Sequence, residues 1–310
     1  MAEKKRQHII PACYLRSWCD PRKPPAHHPF IWRIRKDRSA KQKRSPEKSF
    51  RATDKYTIRL PNGQRNLVFE NTLAETETLF VRVICKIRKR QKLSPTDRAH
   101  LCLFAAAMHN RTTATGEHWK RQMQRLHEVV VDLEQAHNSP PRKSLETAHM
   151  VETAHHDVIA NGLRFETPLL FQMQMTVLMT DDELGFVTSD RPCLWFNPQA
   201  YKWPPFYRSP GLAQRDIEVT LPLSPEHALL VCHRSVPQYS LVTQQVVDEL
   251  NRRTVLNCTE EFVSWKGEMR DYWFDPGQLL ADSWENSEVG KRALARHALE
   301  AAATQRDHEE

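Results

Sequence analysis

Between about Glu70 and Arg90 the apolar residues recur at helical spacing. Leu73, Phe80, Ile84 and Ile87 fall on one face together with Glu70 and Glu77. That face has to pack inward, so the helix must bury, or half-bury, two carboxylates. A carboxylate buried without a partner is strongly destabilising, and each glutamate therefore needs an arginine, a hydrogen-bond donor or a metal. A plainer arrangement also meets the need: Glu70 caps the helix start and Glu77 pairs with a basic residue at the stripe's margin.

Other elements can be read around this helix. Ser94, Pro95 and Asp97 carry the signature of a helix N-terminus, and Leu101, Phe104, Ala105 and Met108 continue its apolar face into His109-Asn110-Arg111-Thr112. A helix resumes near Thr115 with Trp119, Met123, Leu126 and Val130. His137 to Lys143 reads as an exposed linker, Ser144 to Gly162 as a further helix, and Phe165 to Met179 as a buried segment. Nearer the start, Pro11 opens a short amphipathic helix that Asp20-Pro21 and Pro24-Pro25 end. Phe30 to Arg35 is a strand. Tyr56 to Leu60 and Asn66 to Phe69 bracket Asn62-Gly63, a strong hairpin signal.

From Leu184 the period shortens. Strands are expected at 185–188, 193–196, 217–221, 228–232 and 261–265, with a helix over 241–256. The fold class is α+β, predominantly helical, with a mostly antiparallel sheet built from N-terminal and C-terminal strands. Residues 1–275 are expected to form a single globular domain with a basic N-terminal segment over 1–50, and 276–310 a C-terminal helix or flexible tail.

With 310 residues and 40% hydrophobic side chains, the chain can bury a full core. Twenty prolines against eight glycines, and no G-x-G-x-x-G or Walker run, argue against a glycine-rich phosphate cradle. Seven scattered cysteines without a C-x-x-C fit reduced thiols, hence a cytoplasmic setting. No signal peptide is read at the start. The longest apolar stretches are too short to span a bilayer, so no membrane role is expected. Charge is uneven: residues 1–50 hold 14 Lys or Arg against 4 acids, while the whole chain carries only +7. Such a segment attracts a polyanion, or it simply solvates a loop-rich region.

His8-Ile9-Ile10-Pro11-Ala12-Cys13-Tyr14-Leu15-Arg16-Ser17-Trp18 resembles the His-Tyr-x-Pro-x-x-Tyr-Leu-x-x-Phe opening of a mostly bacterial family catalogued as domain of unknown function 4238. Ile9 and Trp18 depart from that pattern. Glu70 and Glu77 resemble the family's two-glutamate helix, and Asn110-Arg111-Thr112 its arginine-centred motif. Thr188-Ser189-Asp190-Arg191-Pro192 is similar to its Thr-Ser-Asp-x-Pro turn, and Pro222-Leu223-Ser224-Pro225 to its Pro-Leu-Ser-Pro. The resemblance spans residues 5 to about 265. It implies a shared fold, leaves a shared site open, and supplies no reaction, substrate or cofactor.

For chemistry, the candidate catalytic residues are His8, Glu70, Glu77, Arg111 and Asp190, with His109 and Ser189 beside them. Candidate substrate-binding residues are Arg16, Arg33, Arg35, Lys36 and Asn110. A histidine with a carboxylate makes a base and its orienting partner, and an arginine holds a phosphate bidentately. The same residues have plain structural readings. Asn110-Arg111 can tie two elements together, and the 188–192 turn has the composition of an Asx-stabilised turn. Three functions stand open: nucleic-acid binding or processing, phosphodiester hydrolysis of a nuclease-like kind, and a non-catalytic protein-interaction module. Whether the chain is an enzyme stays open, as does its oligomeric state. A nucleic acid or nucleotide is the partner expected under the first two of these functions. No metal ligand set is assigned, and no cofactor is expected; Mg is conceivable but unsupported.

Overall fold

The structure is a computed structural model that describes residues 6–20, 22, 28–59, 62–277 and 281–296. The N-terminal part runs β1 (Arg6–His8), α1 (Ala12–Leu15), β2 (Ile31–Arg35), β3 (Lys41–Arg44), β4 (Arg51–Thr53), β5 (Ile58–Arg59) and β6 (Arg65–Asn66). A helical middle follows: α2 (Val68–Arg88), α3 (Pro95–Asn110), α4 (Thr113–Ala136), α5 (Arg142–Asn161), a π-helical turn over Gly162–Glu166, and α6 (Thr167–Gln172). The last third holds β7 (Gln174–Met179), β8 (Thr188–Ser189), β9 (Leu194–Phe196), β10 (Glu218–Ser224), β11 (His227–Cys232), β12 (Tyr239–Leu241), α7 (Gln244–Asn257) and β13 (Glu261–Ser264). The class is α+β with helix predominant.

The strands form two larger sheets where the sequence suggested one. The first, in the order β3-β2-β13-β8, is antiparallel and joins N-terminal to C-terminal strands. The second, β12-β7-β11-β10-β9, is drawn entirely from residues after 173, and its β12–β7 pair is parallel. Strand β10 is buried along nearly its whole length, and its Val219, Leu221 and Leu223 join the core that also holds Tyr14, Phe80 and Phe104. β1 pairs with β4, and β5 with β6 around Asn62-Gly63, where Gly63 takes a positive φ of 77°.

The stripe on α2 is buried: Leu73, Phe80, Ile84 and Ile87 enter the core, and the Phe80 ring stacks on Phe104 of α3 at 3.9 Å. Helix α3 starts where Ser94 was expected to cap it. Ser94 Oγ accepts from the Asp97 amide, and the Asp97 carboxylate accepts from the Ser94 amide. Burial alone would raise the Asp97 pKa, but Lys86 and Ser94 outweigh it and hold the carboxyl at about 2.

Three expectations need correction. Val68 and Phe69 start α2 instead of ending a strand, because Asn66 Oδ1 accepts from the Val68 amide and turns the chain into the helix. The segment 165–179 is only partly buried: Phe165 on the π-helical turn and Leu169 and Phe171 on the short α6 are exposed, while Leu170, Met173 and Met175 enter the core. Of the expected strand over 185–188, only Thr188 is in strand pairing, since Gly185 turns with φ 61° against the Pro225 carbonyl. The Pro24-Pro25 stop, Leu60, and the tail at 278–280 and 297–310 lie outside the described residues. Residues 288–296 are helical. Among the described residues no helix is long and apolar enough to cross a membrane.

Candidate functional site

Arg111 caps the C-terminal end of α3, and its guanidinium turns back into the core beside α2. It is 2% exposed. Its Nη1 donates to Glu77 Oε1 at 2.9 Å and its Nη2 to the His8 carbonyl at 2.6 Å, while Tyr56 Oη donates to the Arg111 carbonyl at 2.8 Å. Gln7 completes the network, accepting from the Tyr56 amide and donating to Thr57 Oγ1. Three sequence candidates therefore meet: His8, Glu77 and Arg111. The charge of Glu70 reaches the same network at the Tyr56 hydroxyl, whose pKa is raised first by burial.

The protonation pattern follows from the acceptors. His8 Nε2 lies 3.2 Å from the Glu47 carbonyl, which can only accept, so Nε2 carries the hydrogen and Nδ1 the lone pair. Burial lowers the His8 pKa against the opposing pull of the Glu47 carbonyl and Glu77, so the ring is neutral at pH 7. The Cys13 thiol, 3.9 Å from Glu77 Oε2, is pushed up to about 12 by burial and the glutamate. Neither thiolate nor imidazolium is at hand. The guanidinium is committed to Glu77 and to a backbone carbonyl, so the cluster ties β1, α2 and α3 together.

The remaining candidates sit apart from it. Asp190 accepts from the amides of Thr259, Glu260 and Glu261 at 2.8, 2.7 and 3.1 Å, which fixes the turn between α7 and β13. Asn110 donates to the Ala106 carbonyl and to Glu166. Arg33 is paired with Glu261 and lies over the Phe50 ring, and Arg35 is 3.7 Å from Asp37. Arg16 pairs with Glu47, so it borders the His8 cluster from outside. Much of the basic segment's charge is thus spent within the fold.

The large concave site lies elsewhere. A cleft of about 1520 Å³ opens between the C-terminal half of α7, the turn after β8, strand β9, and the junction of α3 with α4. Its walls carry Lys36, Arg121, Arg191, Arg252 and Arg253 against two carboxylates, Glu249 and Asp275. The same walls carry five aromatic rings: Trp119, Trp195, Phe196, Tyr201 and Tyr272. Lys36, one of the sequence candidates, donates to the carbonyls of Leu256 and Cys258 and so closes the C-terminal end of α7.

Besides Lys36, two of the five cations in the cleft, Arg191 and Arg121, are left without a carboxylate partner among the described residues. Arg252 and Arg253 share Glu249, whose pKa burial would raise but the two guanidiniums hold at about 2. Arg253 also reaches Glu218 and lies 4.0 Å from the Phe196 centroid. Arg191 meets only the Asn257 carbonyl, at 3.4 Å, and Arg121 has no described partner. The His109 ring stacks on Trp195 at 4.3 Å with its Nδ1 toward the Cys193 carbonyl. Burial, joined by Arg191, takes its pKa down to about 4, so at neutral pH Nε2 offers a lone pair. Such a site suits a ligand with negative charge and flat rings.

Sequence reading named Lys36 and His109 but missed the cleft, whose lining comes from well-separated segments. The adjacent pairs Trp195-Phe196 and Arg252-Arg253 were the available signal. A second cleft of about 1030 Å³ carries charges of both signs, among them Arg16, Arg88 and Arg90 with Asp181, Asp182 and Glu226. Among the described residues no group of three His, Cys, Asp or Glu is placed to hold a metal ion.

The family described as Protein of unknown function (DUF4238) matches residues 6–266 of the chain. No curated protein and no solved structure matches it.

Proposed function

The chain belongs to the DUF4238 family of proteins of unknown function, and from its own cleft we propose that it binds single-stranded nucleic acid or the nucleotide units of one. The observation that carries this reading is the lining of the cleft: five cationic side chains and five aromatic rings share its walls, with Arg253 over Phe196 and Arg252 beside Tyr272. Arginines and a lysine track phosphates, and rings stack on bases without selecting their sequence. Arg191 and Arg121 have no carboxylate partner, so they supply the charge that a phosphate would neutralise. Stacking on an aromatic side chain contributes about 1–3 kcal/mol per base.

A nuclease-like reaction is the second reading, favoured by one observation only: neutral His8 beside Glu77 with a lone pair on Nδ1. Arg111 would have to leave Glu77 to serve a phosphate there. Binding is the stronger reading.

Anisotropy of labelled single-stranded oligonucleotides, titrated with protein over a range of salt, tests it. Binding should fall steeply with salt and weaken with Arg191→Glu. An absence of binding at low salt overturns the reading.

A further inference from the structure

The second cleft, of about 1030 Å³, has the size of a small-molecule site, ~300–1,000 Å³ for most of them. The end of α2, residues 16–20 after α1, the end of β7 with the turn after it, the β10–β11 hairpin and Trp265-Lys266 beyond β13 form its walls. Most of its charges are matched. Arg16 is paired with Glu47, Arg22 with Asp20, Lys266 with Glu183 and Asp182 with Arg270. Among the described residues four lining groups have no ion-pair partner: the cations Arg88 and Arg90 and the acids Asp181 and Glu226. Arg88 donates to Ser17 Oγ at 3.0 Å, which holds it at the cleft, and the Arg90 guanidinium has no described partner.

Arg90 stands where glycine is the usual residue. It follows the last turn of α2 with a positive φ of 51°, and the Gln91 amide donates to the Lys86 carbonyl across that turn. The left-handed conformation costs a side-chain-bearing residue about 1–2 kcal/mol.

A buried polar pair lines the same cleft. Ser224 and His227 close the β10–β11 turn, with His227 Nδ1 3.0 Å from Ser224 Oγ, and they are 5% and 6% exposed. His227 Nε2 has no described partner. The charges acting on the ring are Arg88 and Arg90 of the α2 end and Glu226 of its own hairpin. Burial chiefly, with the two arginines against Glu226, lowers its pKa, so the ring is neutral at pH 7.

We propose that this cleft binds the phosphate group of a small phosphorylated molecule, with Arg88, Arg90 and His227 Nε2–H as its donors. A phosphate monoester offers three acceptor oxygens to these three side chains, and a carboxylate only two. Ser224 Oγ gives its hydrogen to Nδ1, and that bond fixes the tautomer with the hydrogen on Nε2. Asp181 and Glu226 repel a long polyanion, so the cleft takes one phosphate and no strand. The inference is independent of what the first cleft binds.

Isothermal titration calorimetry of the full chain at low salt, with inorganic phosphate, sulfate and acetate as probes, tests the inference. Phosphate and sulfate are expected to bind, and acetate about tenfold more weakly or worse. Arg90→Ala removes an exposed side chain without a described partner, so the fold should survive while sulfate binding at this site weakens about tenfold or more, a loss of about 1.4 kcal/mol. Arg191→Ala, in the first cleft, should leave that sulfate site intact. The C2–H proton resonance of His227, identified by its loss in His227→Gln, should titrate at higher pH when sulfate is present, because the bound dianion offsets the two guanidiniums. An absence of anion binding, binding indifferent to Arg90→Ala, acetate as effective as phosphate, or a His227 resonance that ignores sulfate would each overturn the inference.

Discussion

Arg111 and Glu77 form an ion pair of unequal partners: the guanidinium is 2% exposed and the carboxylate 25%. The asymmetry determines which substitution costs more. Removing Glu77 strands a buried charge, so Glu77→Leu is expected to destabilise the fold by about 3–5 kcal/mol. Adding Arg111→Met to it should recover part of that loss, since the stranded charge is removed with its partner. Urea unfolding of the two single variants and the double variant measures the coupling. Fully additive losses would show that the pair carries no structural coupling.

The salt dependence of nucleic-acid binding separates the cleft from the basic N-terminal segment. Arg191→Ala should lower the slope of log affinity against log salt by about one contact, with the fold intact. Arg33→Ala should act on stability instead, because Arg33 is paired with Glu261 across the β2–β13 register. Titrations at several salt concentrations, combined with melting curves, distinguish the two. The reverse pattern would move the binding surface onto β2 and β3.

The Glu166 carboxyl is raised to about 7 by burial, against the lowering effect of the Asn110 hydrogen bond. Between the ordinary value of 4.5 and 7, the folded chain keeps a proton that the unfolded chain releases. The contribution of this group is therefore complete below pH 4.5 and is lost as pH rises through 7. Glu166→Gln, whose amide oxygen can still accept from Asn110, should be near neutral at pH 4.5. At pH 8 it should stabilise by up to about 3 kcal/mol, at 1.36 kcal/mol per pKa unit. His109 and His155, both held near 4 by burial, act with the opposite sign: their contribution is lost as pH falls from 6.5 toward 4. Equilibrium unfolding of wild type and variant at both pH values checks the assignment.

Asp190 is a turn-holding residue, and its removal should show as lost stability. Asp190→Ala takes the acceptor from three amides at once and should cost about 3 kcal/mol, in the range for hydrogen bonds to a charged group. Asp190→Asn keeps one acceptor oxygen and should cost less. Amide hydrogen exchange at 259–261 should quicken in the alanine variant. Unchanged exchange would leave the turn held by other contacts.

Local signals on the chain were legible wherever one stretch settles its own structure. The Ser94–Asp97 capping box, the Asn62-Gly63 hairpin and the α2 stripe each follow from a few adjacent residues, and each forms. For Glu77 the plainer reading, a basic partner at the stripe, was also correct. What the sequence did not disclose is which basic residue that is, because Arg111 reaches Glu77 across a helix–helix contact. The cleft was hidden for the same reason. Lys36, Arg191 and Arg253 come from separate elements, and only the β2–β13–β8 sheet and α7 gather them. The split into two sheets was equally invisible, since alternation in a strand says which face is apolar but not which neighbour it pairs with.

Tyr14 ties the opening of the chain to a carbonyl 208 positions later. Its hydroxyl donates to Pro222 O at 2.7 Å and accepts from Thr188, while Trp18 Nε1 donates to Phe186 O. During synthesis these partners do not yet exist. At about 5–20 residues per second a ribosome needs about 10–40 s after Tyr14 to reach Pro222. Over that interval the side chains of Tyr14, Leu15 and Trp18, all fully buried in the finished protein, have no β10 against which to pack. A chain released before Pro222 leaves these three side chains without the strand that covers them, as apolar surface of the kind that drives aggregation.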